Sequence, residues 1–174
     1  LAARIREVRE QQAADQWIEG WGYDEGKLAE KRSPNRYDLD EGCSDAPVSI
    51  IRTCGHIRCV NSKALELAGI TKDTPDPQGG KIDRDENGEP TGVLRENARN
   101  LVTPYMPDLT FDQTIDQLLD LGNLLSSQGV TSISDMGLLD SNDPYVYYTK
   151  AVEKGFKQKV SIYYMWDNFM GDDR

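Results

Sequence analysis

Apolar residues in the carboxyl-terminal part of the chain recur at helical spacing, and short apolar runs separate the helical stretches. The clearest helix begins after Thr110, which forms a predicted capping box with Gln113, and it ends before Gly129. The apolar face of this helix consists of Phe111, Ile115, Leu118, Leu119 and Leu125. The apolar run that follows, Val130–Met136, predicts a strand.

A second helix and a second strand follow in the same order. Pro144, directly after Asp143, suits the first position of a helix, and Gly155 closes that helix. Lys159–Trp166 is the next predicted strand. Helices and strands alternating at this spacing predict right-handed βαβ units and a parallel sheet. The predicted fold class is therefore α/β.

The amino-terminal part contains a predicted amphipathic helix over residues 2–14 and then an extended segment, WIEGWGYD. If it is extended, this segment places Trp17, Glu19, Trp21 and Tyr23 on a single face. The run PVSIIRT, Pro47–Thr53, is typical of a buried strand.

The middle of the chain combines a capped helix with a hairpin. Asn61 and Ser62 predict the start of a helix that runs to Ala68. The segment KIDRDENGEPTGVL predicts a β-hairpin, because its Asn-Gly pair at 87–88 favours a type I′ turn. A further helix is predicted over Arg95–Val102.

Composition narrows the possible functions. The formal net charge of −10 argues against binding to nucleic acid and to anionic membrane surfaces. No apolar run approaches the roughly 20 residues needed to span a bilayer. An odd number of cysteines, three, and the lack of a secretory signal indicate a reduced, cytoplasmic setting.

The length of 174 residues suits one domain. We divide it into early strands and a loop (15–53), a helix with a hairpin insertion (54–109) and two helix–strand units (110–174). Because the chain begins with Leu and ends abruptly at WDNFMGDDR, we interpret it as an internal segment of a longer protein.

The segment IIRTCGHIRCV holds the single histidine and two of the cysteines. Cys54, His56 and Cys59, together with Cys43, could form a four-ligand zinc site. Their C-x-H-x2-C spacing is uncommon for zinc, however, and a cysteine at the end of a buried strand usually packs as a small apolar residue. A cysteine nucleophile with His56 as its base is a further alternative, which lacks a matching signature.

Polar residues at strand ends are the other candidates. In a parallel sheet or barrel, residues just after the carboxyl end of a strand face the ligand crevice. Arg52 to His56 follow one predicted strand, and Asp135 and Asp167 follow two others. The alternative for each aspartate is a helix cap or a solvated loop carboxylate.

Three segments in order resemble the middle of the amidohydrolase family 3 proteins, the relatives of N-substituted formamide deformylase: RTCGHIRCVNSKALELAGI, TPDPQGGKIDRDENGEPTGVLRENA and LLSSQGVTSISDMG. WIEGWGYD and SPNRYDLDEGCSDAPVSIIR fit the same pattern upstream. The resemblance runs from about Trp17 to Tyr164.

This resemblance implies a (β/α)8 barrel that hydrolyses C–N bonds with a divalent metal, expected to be zinc, and that carries a small hairpin insertion. Metal in the superfamily is held by an H-x-H pair, a lysine or glutamate, two later histidines and an aspartate. One histidine cannot supply this set. We therefore expect a partial barrel with no metal ligands of its own, inactive alone, whose missing ligands lie outside residues 1–174.

His56, which stands before the Asn-Ser pair of the family pattern, is the candidate catalytic residue. It would contact substrate or stabilise charge on a carbonyl oxygen. The alternative is that it bonds a backbone carbonyl and orders the loop. The other candidates to line a substrate pocket are Trp21, Asp24, Arg52 and Asp135, and the aromatic residue Tyr23 could line it as well.

The resemblance also implies a small-molecule substrate, and open barrel edges would promote self-association. A function of another class remains open. The chain could be a non-catalytic, acidic α/β binding module whose hairpin presents an edge strand to a peptide.

Overall fold

The computed structural model describes residues 1–13, 16–136 and 144–164. The chain divides into two compact units, which we call unit 1 (Leu1–Pro107) and unit 2 (Asp108–Arg174). The boundary lies close to the start of the third predicted segment, 110–174. The expectation that residues 1–174 form one domain stays a prediction. None of the described helices is long and apolar enough to cross a membrane.

Unit 1 is built around a five-stranded mixed sheet with the order β1-β2-β3-β5-β4. Its strands are β1 (Ile18–Tyr23), β2 (Val48–Arg52), β3 (Ile57–Val60), β4 (Gly80–Arg84) and β5 (Pro90–Glu96). Its α-helices are α1 (Ala2–Gln11), α2 (Arg36–Asp40) and α3 (Ser62–Leu67), and two 3₁₀ helices span Asn97–Leu101 and Thr103–Tyr105. Only the pairing of β1 with β2 is parallel. The parallel pairing predicted from the carboxyl-terminal helices and strands therefore does not extend to this sheet.

Both faces of this sheet are covered. One core contains apolar residues of the sheet and of the helices α1 and α2, among them Ile5, Ile18, Leu39, Ile50, Cys59 and Val93. The other core joins residues of β3, β4 and β5 to α3 and the first 3₁₀ helix, including Val60, Ala64, Ile82, Leu94 and Ala98. Side chains alternate between faces along a strand, so β3 and β5 each supply residues to both cores.

A bulge in β1 changes the face on which its last residue lies. The register between β1 and β2 shifts between Trp21 and Tyr23, where Gly22 has a φ of +88°. Trp17 therefore belongs to one core and Tyr23 to the other. The prediction that Trp17, Glu19, Trp21 and Tyr23 share one face is wrong for Tyr23, because a bulge inserts one residue into the alternation.

The capped helix in unit 1 is confirmed and its surroundings are not. Asn61 caps α3 by accepting a hydrogen bond from the Ala64 N–H at 3.0 Å. The short strand β3 before this cap was not predicted. The helix predicted over Arg95–Val102 is present as a 3₁₀ helix, Asn97–Leu101, and it begins later than predicted because Arg95 continues β5 and pairs with both β3 and β4.

The hairpin of β4 and β5 is confirmed, but its turn is not type I′. A type I′ turn requires positive φ at both central residues, and only Gly88 has it, at +82°. The Asp85 carboxylate instead accepts hydrogen bonds from the N–H groups of Asn87 and Glu89, each at 2.9 Å. The Asp85 side chain thus stabilises this turn, which does not have the backbone geometry of a type I′ turn.

Unit 2 contains α4 (Phe111–Ser127), β6 (Ser132–Asp135), α5 (Pro144–Glu153) and β7 (Lys159–Ile162). The capping box of Thr110 and Gln113 is confirmed, and β6 pairs with β7 in parallel. The core consists of Ile115, Leu118, Tyr148, Ala151 and Phe156. Phe111 is exposed and packs on the Tyr147 ring, with centroids 4.7 Å apart, so it does not join the buried face predicted for α4. The predicted last strand ends earlier, at Ile162, and Met165, Trp166 and Asp167 lie outside the described residues.

Candidate functional site

The loop that carries His56 joins two antiparallel strands, β2 and β3, and is tied to the end of β5. Its Gly55 N–H donates to the Arg52 carbonyl at 2.8 Å, which closes the turn. The Glu96 N–H donates to the His56 carbonyl at 2.9 Å, and Arg99 Nη1 donates to the Gly55 carbonyl. The loop is thus held from a segment about forty residues later in the chain.

His56 pairs with a carboxylate rather than with a backbone carbonyl. Its Nδ1 lies 3.0 Å from Oε2 of Glu96, and the side chains are 64% and 58% exposed. No other described group bonds the imidazole. With Nδ1–H donating to Glu96, the ring is oriented and Nε2 stays available to a ligand.

Glu96 occupies an unusual backbone conformation for this pairing. Its φ is +47°, one of two positive values outside glycine in the described part of the chain. Such a conformation costs on the order of 1–3 kcal/mol and persists only where the surroundings hold it. Here the pairing of Glu96 with Gly80 in β4 and its bond to His56 hold it.

Trp21 lies beside this loop. Its ring covers Gly55: a β-carbon at that glycine would be 3.7 Å from Cη2 of Trp21. The ring is 69% exposed, which is unusual for tryptophan. The structure therefore brings together two of the predicted site residues, Trp21 and His56.

Arg52 is held by Glu25, also near the loop. The guanidinium donates to both carboxylate oxygens of Glu25, with the shortest distance 2.7 Å. This bidentate pairing lowers the pKa of Glu25 to about 2. The same guanidinium, and then the His56 N–H at 3.4 Å from the sulfur, lower the pKa of the exposed Cys54 thiol.

The two aspartates predicted for the pocket have structural partners. Asp24 accepts a hydrogen bond from the Gly26 N–H at 2.9 Å and stabilises the turn after β1. Asp135 is buried in unit 2, where its Oδ2 accepts from the Tyr148 hydroxyl at 3.0 Å. Burial, followed by the charge of Asp135, raises the pKa of Tyr148. The expected role of Asp135 in a pocket with His56 stays a prediction.

The described residues do not fit a metal centre. No group of three or more His, Cys, Asp or Glu side chains in the described ranges could hold a metal ion. Cys59 is fully buried, its Sγ donates to the Pro34 carbonyl at 3.2 Å, and burial raises its thiol pKa. Cys43 is buried as well, with its Sγ 3.6 Å from the Ala46 carbonyl. These two cysteines pack in the core, whereas Cys54, the strand-end cysteine for which packing is predicted, is exposed.

Cys54 also lacks the geometry of a catalytic pair. It contacts the backbone N–H of His56, while the imidazole bonds Glu96. No short sequence pattern predicts Glu96 or Arg99 at this site, because the strand pairing that places them beside His56 joins distant segments. A cavity of about 360 Å³ lies elsewhere in unit 1, against the first residues of α1 and the segment 28–41, and no predicted site residue lines it.

Comparison with known proteins points to one family. A family model described as the amidohydrolase family matches residues 1–169. The chain is 40% identical over 109 residues to a Bacillus subtilis protein named as the amidohydrolase YtcJ. It is 36% identical over 124 residues to the N-substituted formamide deformylase of Arthrobacter pascens.

Solved structures agree with these relatives. Two uncharacterized metal-dependent hydrolases, from Pyrococcus horikoshii and Pyrococcus furiosus, match 92% of the chain with TM-scores of 0.51 and 0.52 and identities of 26% and 25%. The match covers 31% of each of those structures. The alignments with YtcJ and the deformylase cover 63% and 69% of this chain but 20% and 23% of the relatives. The chain therefore spans about a fifth to a third of the length of the proteins it matches.

Proposed function

Because the chain belongs to the amidohydrolase family, we propose that it is a segment of a metal-dependent hydrolase that cleaves an amide-like, non-peptide C–N bond in a small molecule. The observation that carries the proposal is the family match over residues 1–169, within which one relative is named for the deformylation of N-substituted formamides. The coverage of the relatives supports the view that further parts of the longer protein complete the site.

The metal ligands would come from outside this segment. The hydrolases of known structure are named as metal-dependent, and a divalent metal, zinc in our proposal, would supply activated water. The single histidine is paired with Glu96, and the described residues form no cluster of three ligands. The segment alone is therefore proposed to hold no catalytic metal tightly and to hydrolyse nothing.

His56 would act on the substrate side of the reaction. Its Nε2 accepts a hydrogen bond when the ring is neutral and donates one when the ring is protonated, so it suits a carbonyl oxygen or an amide N–H of the substrate. Glu96 would position the ring, and Trp21 would supply an aromatic wall.

The test uses the full-length protein loaded with zinc or manganese and a panel of N-acyl and N-formyl compounds. We expect hydrolysis by the full-length protein and none by residues 1–174. His56→Gln should lower kcat/KM, and Glu96→Gln should lower it less because the imidazole remains. Glu7→Gln, an exposed carboxylate on α1, is the control and should leave kcat/KM unchanged. One tightly held zinc per molecule of residues 1–174 would contradict the proposed origin of the ligands.

The proposed architecture of the longer protein is a (β/α)8 barrel to which this chain contributes strands and a hairpin insertion. The parallel pair β6 and β7 with the helix α5 between them supports this. Each of these strands has one pairing partner among the described residues, so we propose self-association of the isolated segment through open strand edges. Light scattering that finds a clean monomer at high concentration would count against self-association.

One observation favours the alternative of a peptide-binding module: β4 lies at an edge of the five-stranded sheet and pairs only with β5 among the described strands. An added peptide strand would use that edge. Chemical-shift changes in β4 on adding extended peptides, without hydrolysis by the full-length protein, would favour this function. The free cysteines support our proposal of a cytoplasmic setting, which fractionation of cells can test.

A further inference from the structure

Most arginines in this acidic chain have a carboxylate partner. Those with an ion pair within 4 Å are Arg4, Arg6, Arg9, Arg32, Arg52, Arg84 and Arg95. Arg36 stacks over the Tyr37 ring. Arg36 has no ion pair within the described ranges. Among the described arginines, Arg58 and Arg99 differ because each lacks both an ion pair and a stacked ring, although the chain carries 30 acidic residues.

Arg58 is half-buried in β3 without a good acceptor. Its Nη1 lies 2.8 Å from the sulfur of Met106, and its Nε is buried with no hydrogen-bond partner. A thioether is a weak acceptor, so the Nε donor and the Nη1 donor of this guanidinium lack a strong acceptor among the described residues. Burial first, and then the charge of Arg99, lower the pKa of Arg58, while Glu19 opposes them.

Arg99 brings a second positive charge to the same place. Its Nε donates to the Glu96 carbonyl at 3.1 Å, and its Nη1 donates to the Gly55 carbonyl. Both partners are neutral carbonyls, which leave its charge uncompensated. Because Gly55 precedes His56 and Glu96 pairs with His56, these contacts place Arg99 at the loop of the candidate site.

Arg58, two residues after His56, and Arg99, which bonds Gly55, therefore both adjoin the His56 loop, and the Trp21 ring lies beside the same loop at Gly55. A planar carboxylate matches the fork of a guanidinium, and a partly desolvated guanidinium gains most from it. The exposed Trp21 ring beside Gly55 offers an apolar surface for the body of the same ligand.

We propose that Arg58 and Arg99 bind a carboxylate group of the substrate, so that the amide-like compound hydrolysed by the longer protein is an organic acid. This inference rests on the proposed function, and it names the class of substrate. Inorganic phosphate and a carboxylate from another part of the longer protein are the competing occupants.

Binding is tested with the full-length protein by titration calorimetry. The probes are 3-phenylpropionate and its uncharged counterpart 3-phenylpropanol, which have no hydrolysable bond. We expect the acid to bind about tenfold more tightly or better, as charge-assisted hydrogen bonds predict. Arg58→Gln and Arg99→Gln should each reduce this preference, and Arg4→Gln, an exposed arginine, should keep it. Circular dichroism checks folding, and Arg99→Gln carries the test if Arg58→Gln does not fold.

Three binding results would overturn the proposal: equal affinity for the two probes, a preference that survives both substitutions, or tighter binding of inorganic phosphate at these arginines. An internal carboxylate that already fills the site would produce the first of these results.

Kinetics separate this inference from the proposed function. The matched substrates are N-formylglycine and N-formylethanolamine, and we expect a higher kcat/KM for the acid that is lost in Arg58→Gln. Hydrolysis of both compounds without preference overturns the carboxylate site and leaves the hydrolase function standing. Arginine-dependent binding of 3-phenylpropionate without any hydrolysis supports the site and overturns the hydrolase function.

Discussion

Unit 1 covers both faces of its sheet with helices, whereas the described part of unit 2 has one small core and many exposed apolar side chains. The two cores of unit 1 include fully buried Leu39, Val60 and Leu94. The large apolar residues exposed in unit 2 include Leu121, Leu124, Met136, Val146 and Val152. The difference indicates that unit 1 contains most of what its fold needs, while unit 2 depends on further surface to bury its apolar residues.

The largest expected effect separates the two units completely. Residues 1–107 expressed alone should unfold cooperatively in urea, because two cores lie on a five-stranded sheet. Residues 108–174 alone should not, because a two-stranded sheet with a small core is marginal in water. Circular dichroism during urea titration measures both. A sharp unfolding transition in residues 108–174 would show that unit 2 folds on its own and would contradict this prediction.

Each unit also contains a buried side-chain amide, and the two amides differ in how completely they are bonded. Asn61 in unit 1 makes four hydrogen bonds: its Oδ1 accepts from Val48 and Ala64, and its Nδ2 donates to the Cys43 and Ala46 carbonyls. Gln158 in unit 2 donates to three oxygens, but its Oε1 has no partner. The amide with more of its hydrogen bonds satisfied, Asn61, should contribute more to the free energy of unfolding.

We therefore expect Asn61→Ala to lower the free energy of unfolding by about 4 kcal/mol, since it removes four hydrogen bonds to buried backbone groups, and an unsatisfied buried group costs about 1–3 kcal/mol before relaxation. Gln158→Ala should lower it by about 2 kcal/mol, because it also removes an unsatisfied oxygen. Urea titrations of the 174-residue chain measure both changes. Asn123→Ala, exposed on α4, is the control. Equal losses at the two amides would contradict the ranking.

Each unit also contains a glycine with little room for a β-carbon, and substitutions at these two glycines should have smaller effects on stability. In unit 1, a β-carbon at Gly92 would collide with the Val60 carbonyl oxygen, and its φ is +89°. In unit 2, a β-carbon at Gly122 would lie 2.8 Å from the Phe156 ring, which can shift. Gly92→Ala should destabilise by about 3 kcal/mol. Gly122→Ala should destabilise by about 1 kcal/mol, because improved helix propensity offsets part of the overpacking.

The urea midpoints of the two variants check this order. Gly88→Ala is a matched control for the backbone effect alone, because it has a φ of +82° and nothing within 4 Å of an added β-carbon. Gly88→Ala should lower the urea midpoint less than Gly92→Ala does. A Gly92→Ala variant with the stability of Gly88→Ala would show that the backbone near Val60 yields easily.

The smallest expected effect concerns acid. Arg52 lowers the pKa of Glu25 from its ordinary value of 4.5 to about 2 in the folded chain. A lowered pKa stabilises the folded state above the ordinary value, and this contribution disappears as the pH falls through the folded pKa. Arg52→Gln should therefore flatten the loss of stability of unit 1 between pH 4.5 and about 2. Urea titrations at several pH values measure the slope, and Asp24→Asn is the neighbouring control. An unchanged slope in Arg52→Gln would show that the ion pair does not contribute to the loss of stability in acid.

Local signals predicted local structure well. The capping box at Thr110, the Asn61 cap and the Asp143-Pro144 signal before α5 act over a few residues, and the structure contains the helices they predict. The strand β3 and the continuation of β5 through Arg95 were missed, because each is stabilised by pairing with segments distant in sequence.

The same difference between local signals and long-range pairing applies to the candidate site. His56 could be chosen from its residue type and the resemblance to the family. Its partner Glu96 and the arginines beside it depend on strand pairing that no short pattern reveals. Asp24 belongs to the WIEGWGYD segment predicted to line the pocket, but it bonds its own turn, which is the usual behaviour of an aspartate at a turn.

The bonding of Asn61 has a consequence for how this part of the molecule opens to solvent. The Asn61 side-chain amide forms hydrogen bonds both with the backbone of Cys43, Ala46 and Val48 and with the first turn of α3. If either segment detaches, buried polar groups of the other lose their hydrogen-bond partners. Deuterium should therefore enter at the Val48 and Ala64 amides in a single shared event, and this loop and this helix would exchange as one cooperative block.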